Sequence, residues 1–282
     1  MFEMSKLLLP PKYKFNPQQR QLFYFMAWLV ITAAILITGA SCKNQFSQTI
    51  QTNTNLLVSA AASLKETLEE IKPLYKQIQT NKNITYNFGA SGALQQQIEN
   101  GASVDIFISA SKKQMDALDA KNLLIKETRR NLLTNRLVLI VSKSDSGISN
   151  FRQLTDSKIK KIAIGEPRSV PAGQYAEEVF TKLEILEQVK PKFVFSNNVR
   201  QVLSTVASGN ADAGIVYLTD AKTSQQVKIA ATAENLHSPI VYPVAILKNS
   251  KNVSAAKEYL QLLSSNQAKA IFEKYGFGII AK

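Results

Sequence analysis

The sequence contains one cysteine, Cys42, and one histidine, His237, among its 282 residues. A single cysteine excludes an internal disulfide framework and a cysteine-rich metal centre, and a single histidine argues against a structural zinc site. The sequence also has no phosphate-binding P-loop and no G-x-G-x-x-G turn after a strand. We therefore predict no cofactor and no direct metal-ion site.

A complete nucleophile motif is also missing. The segment Gly89-Ala90-Ser91-Gly92 is close to the G-x-S-x-G turn of serine hydrolases, but that turn needs a glycine at position 93, where Ala93 stands. His237 would have to act as the base, and its polar surroundings predict an exposed loop. We predict that the protein is not an enzyme, and an exported hydrolase that uses Ser91 is the alternative from another function class.

The N-terminal part of the chain does not resemble a globular fold. Basic residues precede an uncharged stretch of 19 residues at positions 22–40, so we interpret residues 1–41 as a signal or anchor segment. That length would just span a bilayer, and both cleavage and permanent anchoring are compatible with it. The segment 38–42 resembles a bacterial lipoprotein cleavage site, although Gly39 stands where Leu, Val or Ile is usual. We predict lipidation of Cys42 and a location in the periplasm or on the outer face of the cytoplasmic membrane.

The chain has a formal net charge of +13. The basic residues are spread singly or in pairs, such as Lys112-Lys113 and Arg129-Arg130, and an exported protein meets no chromosome. We therefore expect no nucleic acid partner, and we interpret the charge as a general attraction for anions and phospholipid surfaces.

After a polar tether at residues 42–54, short apolar runs alternate with helical patterns, which indicates an α/β fold with largely parallel sheets. Within the first helical pattern, Pro73 predicts a kink or an early end. We expect the chain to leave a first lobe near residue 134 and to return near residue 243. The predicted domains are lobe 1 at 55–134 plus 243–282 and lobe 2 at 135–242.

Four loops share one pattern, in which small or polar residues stand between an apolar strand and an amphipathic helix. Free backbone N–H groups and the helix dipole make such junctions attractive to anions, and small residues let the anion approach closely. We therefore predict one convergent oxyanion site built from Ala60-Ala61-Ala62-Ser63, Gly89-Ala90-Ser91-Gly92, the turn 165–176 and Ser196-Asn197-Asn198-Val199.

Each candidate site residue also has a purely structural interpretation. Ser63 and Glu66 have the spacing of a capping box, and Ser91 could belong to an ordinary glycine-rich turn. Tyr217 ends a strand where the crevice of an open α/β sheet begins, but tyrosines at strand ends often only pack. We predict that Arg168 and Arg200 steer anions from the rim at most.

Several motifs together resemble the molybdate-binding proteins of bacterial ABC importers. The resemblance runs from about residue 56 to 280 and departs at Ser111, where an aspartate is common. The segments that carry it are Ala60-Ala61-Ala62-Ser63-Leu64, Asp105-Ile106-Phe107-Ile108-Ser109-Ala110, Val170-Pro171-Ala172-Gly173-Gln174-Tyr175-Ala176, Gly214-Ile215-Val216-Tyr217 and Ile271-Phe272-Glu273-Lys274-Tyr275-Gly276-Phe277.

The resemblance implies a two-lobed periplasmic-binding-protein fold of type II with the ligand in the cleft between the lobes. It implies that the oxyanion is bound by the hydroxyl and N–H groups of Ser63 and Ser91, the N–H groups of Ala172 and Val199, and the hydroxyl of Tyr217. The expected ligand is molybdate or tungstate, the expected partner is the membrane permease of an ABC transporter, and we expect a monomer. A binder of sulfate or phosphate stays open as an alternative.

Overall fold

The computed structural model of the protein describes residues 54–144 and 147–280, together with positions 16, 18 and 26. Residues 54–280 belong to one compact unit that begins at Thr52. Cys42 and nearly all of the predicted export segment and tether lie outside the described residues. Within the described part, no helix has both the length and the apolar character needed to cross a membrane.

Two mixed β-sheets form the centre of the fold. The first sheet has the strand order β11-β4-β10-β3-β1-β2, and the second has the order β7-β6-β8-β5-β9. The strands are β1 Thr54–Ala61, β2 Lys82–Gly89, β3 Ile106–Ile108, β4 Arg130–Thr134, β5 Leu137–Ser142, β6 Ile162–Gly165, β7 Phe193–Ser196, β8 Ala213–Tyr217, β9 Val227–Thr232, β10 Val241–Ile246 and β11 Gly278–Ile279.

Helices cover the sheets and connect most of the strands, as the alternating sequence pattern predicts. The α-helices of the described residues are α1 Lys65–Ile78, α2 Ser91–Glu99, α3 Lys112–Ala120, α4 Pro171–Lys182, α5 Leu186–Val189, α6 Val199–Ala207, α7 Leu218–Ala221, α8 Val253–Leu263 and α9 Asn266–Tyr275. Short 3₁₀ turns complete the connections at Ala62–Leu64, Lys126–Thr128, Phe151–Thr155 and Lys190–Lys192.

The sheets are less parallel than the sequence predicts. β1 runs parallel to β2 and β3, and β6 runs parallel to β7 and β8, but β10 and β5 run antiparallel to their neighbours. These antiparallel strands are the ones at which the chain enters a sheet from the other sheet, since β5 follows β4 of the first sheet and β10 follows β9 of the second. β8 and β10 are buried along their whole length, which explains their continuous apolar sequences.

The structure excludes an early end of the first helix at Pro73, and it excludes the capping-box interpretation of Ser63. The helix α1 continues through Pro73 to Ile78, because the buried side chains of Leu68, Ile71 and Tyr75 hold both of its halves against the core. Ser63 does not cap this helix. It lies inside the 3₁₀ turn Ala62–Leu64, and its hydroxyl contacts the hydroxyl of Tyr242 instead of the backbone of the helix.

The chain passes between the two sheets at two places. β4 ends at Thr134 in the first sheet and β5 begins at Leu137 in the second, while β9 ends at Thr232 in the second sheet and β10 begins at Val241 in the first. The division of strands between the sheets is compatible with the predicted lobes, whose limits at residues 134 and 243 stay a prediction. The ends of β1, β2, β6 and β8 and the loops that follow them line one cavity. The carboxyl ends of these strands therefore face one another across the space between the sheets.

Candidate functional site

All five predicted ligand residues line this one cavity between the two sheets. Its volume is only about 10 Å³, far smaller than the pockets that hold most organic ligands. None of its thirteen lining residues is charged. They are Ala61, Ala62, Ser63, Gly89, Ala90, Ser91, Ala110, Val170, Pro171, Ala172, Asn198, Val199 and Tyr217.

Two serine hydroxyls come from the first sheet's side of the cavity. Ser63 follows β1 and Ser91 is the first residue of α2, and both are almost completely buried. The backbone N–H of Ala110 donates to Ser91 Oγ at 2.9 Å. Because this bond uses Ser91 Oγ as an acceptor, the hydroxyl proton of Ser91 is free to be donated to a ligand.

Two helix N-termini point at the cavity from the second sheet's side. The helix α4 begins with Pro171, which has no N–H, so the N–H of Ala172 is the first one that this helix offers. The helix α6 begins with Val199 after the cap Asn198, whose side chain accepts a hydrogen bond from Gln201 N. The N–H groups of Ala172 and Val199 lie in first turns, where intrahelical acceptors are missing.

Tyr217 supplies the third hydroxyl. It is the last residue of β8, only 1% of its surface is exposed, and no described residue accepts or donates a hydrogen bond at its hydroxyl. Burial raises the pKa of Tyr217 well above its ordinary value of 10, so the hydroxyl keeps its proton at neutral pH. A buried hydroxyl without a partner is unfavourable in a folded protein unless a ligand completes it.

Two glycines allow the close approaches that shape the site. A Cβ at Gly173 would lie 2.0 Å from the carbonyl oxygen of Gly165, so only glycine lets α4 begin this close to the end of β6. Gly92 lies against Ser169 in the same way, and its N–H donates to Ser169 O at 2.9 Å. This last bond connects the loop after β2 with the loop after β6, and thus the two sides of the cavity.

Charged groups lie behind the cavity wall and are paired with one another. Arg200 follows Val199 and contacts the carboxylates of Glu66 and Asp220, with 3.0 Å between Arg200 Nε and Asp220 Oδ1. Asp220 is fully buried, and this burial raises the pKa of its carboxyl group from 3.8 to about 6 against the opposing effect of Arg200. Arg200 also reaches the carbonyl oxygen of Ala62, so it connects the two sides of the cavity.

The two arginines therefore differ from each other. Arg168 lies at the surface, where 88% of its side chain is exposed and its guanidinium contacts Glu166; it does not line the cavity, and its steering role stays a prediction. The expectation that Arg200 also faces solvent is wrong, since 81% of its side chain surface is covered and its charge is shared by Glu66 and Asp220. Its pairing could not be inferred from its position beside a helix start.

His237 does not lie at the cavity. Its ring packs at 5.5 Å from the ring of Tyr175, and its Nδ1 lies 2.7 Å from Ser238 O. It lines a wider surface depression together with Lys113, Arg168 and carboxylates such as Glu178. Mixed charges and an open form are typical of a solvated surface, so we assign the ligand site to the small uncharged cavity and not to this larger depression.

Sequence reasoning missed two residues next to the site, Tyr242 and Asn135. The Tyr242 hydroxyl lies 2.8 Å from Ser63 Oγ, and the Asn135 side chain donates to it at 3.1 Å. The rings of Tyr242 and Tyr217 meet edge to face at 5.9 Å. Both residues lie near the places where the chain crosses between the sheets, but no motif distinguishes a tyrosine that faces a site from one that only packs.

Comparison with known proteins identifies the family. The model of the bacterial extracellular solute-binding proteins matches residues 56–278. The chain belongs to this family. The membership confirms the prediction of a binding protein and argues against the hydrolase alternative, because the family consists of solute-binding proteins and not of enzymes.

Individual relatives agree with the predicted resemblance. The chain is 44% identical over 249 residues to YvgL of Bacillus subtilis, and the match covers 88% of this chain and 95% of that protein. YvgL is provisionally named as a substrate-binding lipoprotein of an ABC transporter. It is 38% identical over 252 residues to the molybdate-binding protein ModA of Haemophilus influenzae, with 88% and 96% covered.

A solved structure supports the predicted fold. The periplasmic molybdate-binding protein of Azotobacter vinelandii superimposes with a TM-score of 0.71 at 27% identity, and the match covers 80% of this chain and 100% of that one. The two-lobed periplasmic-binding-protein fold with a cleft between the lobes is thereby confirmed for the described residues.

Proposed function

We propose that the protein captures molybdate or tungstate outside the cytoplasm and delivers it to the membrane permease of an ABC importer. One observation carries this proposal: three hydroxyls and two helix N-termini converge on a small cavity that contains no charged side chain. The choice of ion is supported by relatives of nearly the same length that are named for molybdate binding.

The proposed ligand groups are the hydroxyl and backbone N–H groups of Ser63 and Ser91, the backbone N–H groups of Ala172 and Val199, and the hydroxyl of Tyr217. A buried dianion is tolerable in such a neutral site because each hydrogen bond to a charged acceptor contributes about 1.5 to 3 kcal/mol net. Several such bonds, held in place before the ion arrives, offset the loss of its hydration shell.

The same donor set disfavours phosphate. At neutral pH phosphate usually carries a proton, which needs a carboxylate or another acceptor, and no carboxylate lines the cavity. Sulfate has no proton and keeps the charge and shape of molybdate, but it is smaller. A rigid set of donors spaced for the larger ion would leave sulfate with long and weak hydrogen bonds.

We further propose that lobe 1 comprises residues 55–134 and 243–282, that lobe 2 comprises residues 135–242, and that the protein acts as a monomer. Two adjacent crossings of the chain between the sheets would let the lobes close over the ion as on a hinge. We also propose that Cys42 is lipidated and tethers the protein to the membrane, which the name of the Bacillus subtilis relative supports.

The identity of the ion can be tested without assuming it. Native mass spectrometry of protein purified without added ligand should detect a retained anion with the mass of molybdate or tungstate. On ligand-free protein, a hundredfold excess of molybdate over its Kd should stabilise the fold by about 2.7 kcal/mol, and thus raise the melting temperature by about 5 to 11 °C.

Sulfate and phosphate at the same ionic strength provide the control, because a basic chain is stabilised nonspecifically by any multivalent anion. They should produce little additional shift. An equal shift with sulfate, or none with molybdate, would contradict the molybdate assignment and leave the two-lobed fold intact.

A further inference from the structure

A chain of hydrogen bonds leads from Asn135 through Tyr242 to Ser63. Asn135 Nδ2 lies 3.1 Å from the Tyr242 hydroxyl, which lies 2.8 Å from Ser63 Oγ. The backbone N–H of Arg136 donates to Asn135 Oδ1 at 2.9 Å. Because a backbone N–H can only donate, this bond fixes the orientation of the amide, and the donor Nδ2 is the atom that faces Tyr242.

The protons in this chain can be placed by elimination. The amide nitrogen of Asn135 can only donate, so the Tyr242 hydroxyl accepts from it. Tyr242 is fully buried, and among the described residues Ser63 Oγ is the remaining hydrogen-bond partner of its hydroxyl. The single proton of Tyr242 is therefore donated to Ser63 Oγ. The proton of Ser63 is then free to point into the cavity.

The chain of bonds begins where the backbone passes from one sheet to the other. Asn135 lies in the two-residue connection between β4 and β5, and its amide also donates to Thr219 Oγ1 at 2.9 Å. Thr219 follows Tyr217 by two residues on the second sheet's side, whereas Tyr242 belongs to the first sheet. The pairing of β10 with β4 shifts between Tyr242 and Pro243, and such irregularities are common where a side chain is aimed at a site.

We propose that Asn135 is a positioning residue that fixes the Ser63 hydroxyl as a hydrogen-bond donor to the ion and thereby makes the site prefer oxyanions without a proton. The proposal rests on the proposed function, because it assigns the proton of Ser63 to the bound ion. If the chain of bonds ran in the opposite direction, Ser63 would have no proton left for the ligand and could only accept, as it would from the proton of hydrogen phosphate. Asn135 excludes that direction because its amide nitrogen has no lone pair to offer.

The matched test is Asn135→Asp, which keeps the shape of the side chain and replaces the donor by an acceptor. The new carboxylate would accept the proton of Tyr242, so that Ser63 has to donate to Tyr242 and turns a lone pair toward the ion. The substitution is made in the wild type and in the Ser63→Ala variant. Kd values for molybdate and for phosphate are measured by calorimetry in mildly alkaline buffer, where phosphate is mainly the hydrogen-phosphate dianion.

The added negative charge acts on both dianions and in both backgrounds, so the comparison isolates the effect of the hydrogen-bond direction. We expect Asn135→Asp to raise the molybdate Kd by about tenfold more in the wild type than in Ser63→Ala, the scale of one hydrogen bond to a charged group. The ratio of phosphate to molybdate affinity should rise in the wild-type background alone. Equal changes in both backgrounds would overturn the proposal.

Two further measurements keep the test decisive. If Asn135→Asp melts well below the wild type, Tyr242→Phe takes its place, and it should raise the molybdate Kd in the wild type and leave it unchanged in Ser63→Ala. If wild-type protein binds sulfate instead of molybdate, the proposed function fails on its own. The same cycle with sulfate then tests Asn135, since sulfate likewise carries no proton.

Discussion

Removal of the Tyr217 hydroxyl should affect ligand affinity and ligand-free stability in opposite directions. The hydroxyl is buried without a partner among the described residues, so Tyr217→Phe removes an unfavourable group from the ligand-free protein. An unpaired buried polar group costs about 1 to 3 kcal/mol, and any opening of the cleft to water reduces this cost. We therefore expect the ligand-free variant to be at least as stable as the wild type, and up to about 1 kcal/mol more stable.

The affinity should fall by contrast. The variant loses one hydrogen bond to a dianion, which contributes about 1.5 to 3 kcal/mol, so the molybdate Kd should rise by roughly 10- to 150-fold. Calorimetric titration gives the Kd, and thermal unfolding of ligand-free protein gives the stability. For a folded part of this size, 1 kcal/mol corresponds to a change of about 2 to 4 °C in the melting temperature.

Tyr259→Phe is the matched control. Tyr259 is equally buried, but its hydroxyl has a partner, the hydroxyl of Tyr86 at 2.9 Å, which itself donates to Leu68 O. This control should lose about 1 kcal/mol of stability and keep its affinity. If Tyr217→Phe behaves like the control, with lower stability and unchanged affinity, then the hydroxyl of Tyr217 does not bind the ion and the reasoning is refuted.

The remaining predictions concern the charged groups and the anchor. Arg200→Ala should weaken molybdate binding and lower stability because it leaves Asp220 buried without its partner, whereas Arg168→Ala should only slow association at low salt, as stopped-flow fluorescence can check. Burial raises the pKa of Asp220 to about 6, so the folded protein binds this proton more tightly than the unfolded chain does. The stability gained from the proton is fully present below pH 3.8 and is lost as the pH rises through 6. In the wild type the free energy of unfolding, measured with urea, should therefore fall by about 3 kcal/mol between pH 3.8 and 6, and Asp220→Asn should not show this fall. Mature protein should begin at a lipidated Cys42, and an intact mass that retains Met1 would contradict this.

The sequence predicts most of the fold because most strands, buried or not, carry a short and mainly apolar run of strand length. Nine of the eleven strands among the described residues coincide with such runs. The other two, β4 and β11, could not be located in this way. β4 begins with Arg130 and Asn131 and lies near the edge of its sheet, and β11 consists of Gly278 and Ile279 alone. Their positions are determined by pairing with distant strands, and local patterns do not record such pairing.

The positions of the candidate site residues were predictable to a similar extent. Small residues at strand-to-helix junctions indicated the loops, and the resemblance to a known family selected five positions that the structure brings to one cavity. The environment of these residues could not be inferred. The partner of Ser63 is 179 positions away at Tyr242, and the partner of Arg200 is 134 positions away at Glu66. Contacts over such distances depend on how the two sheets meet.

The pairing of Arg200 also explains how a site beside an arginine can be built from neutral donors. A free guanidinium in the cavity would attract phosphate and sulfate as well as molybdate, because its charge acts on any of these anions. Here Glu66 and Asp220 occupy the guanidinium, so the arginine holds the two sides of the cavity together and does not present its charge to the ion. Discrimination is then left to hydrogen bonds, which depend on the size of the ion and on whether it carries a proton. A site of this kind recognises an oxyanion by the positions of its acceptors and not by its charge alone.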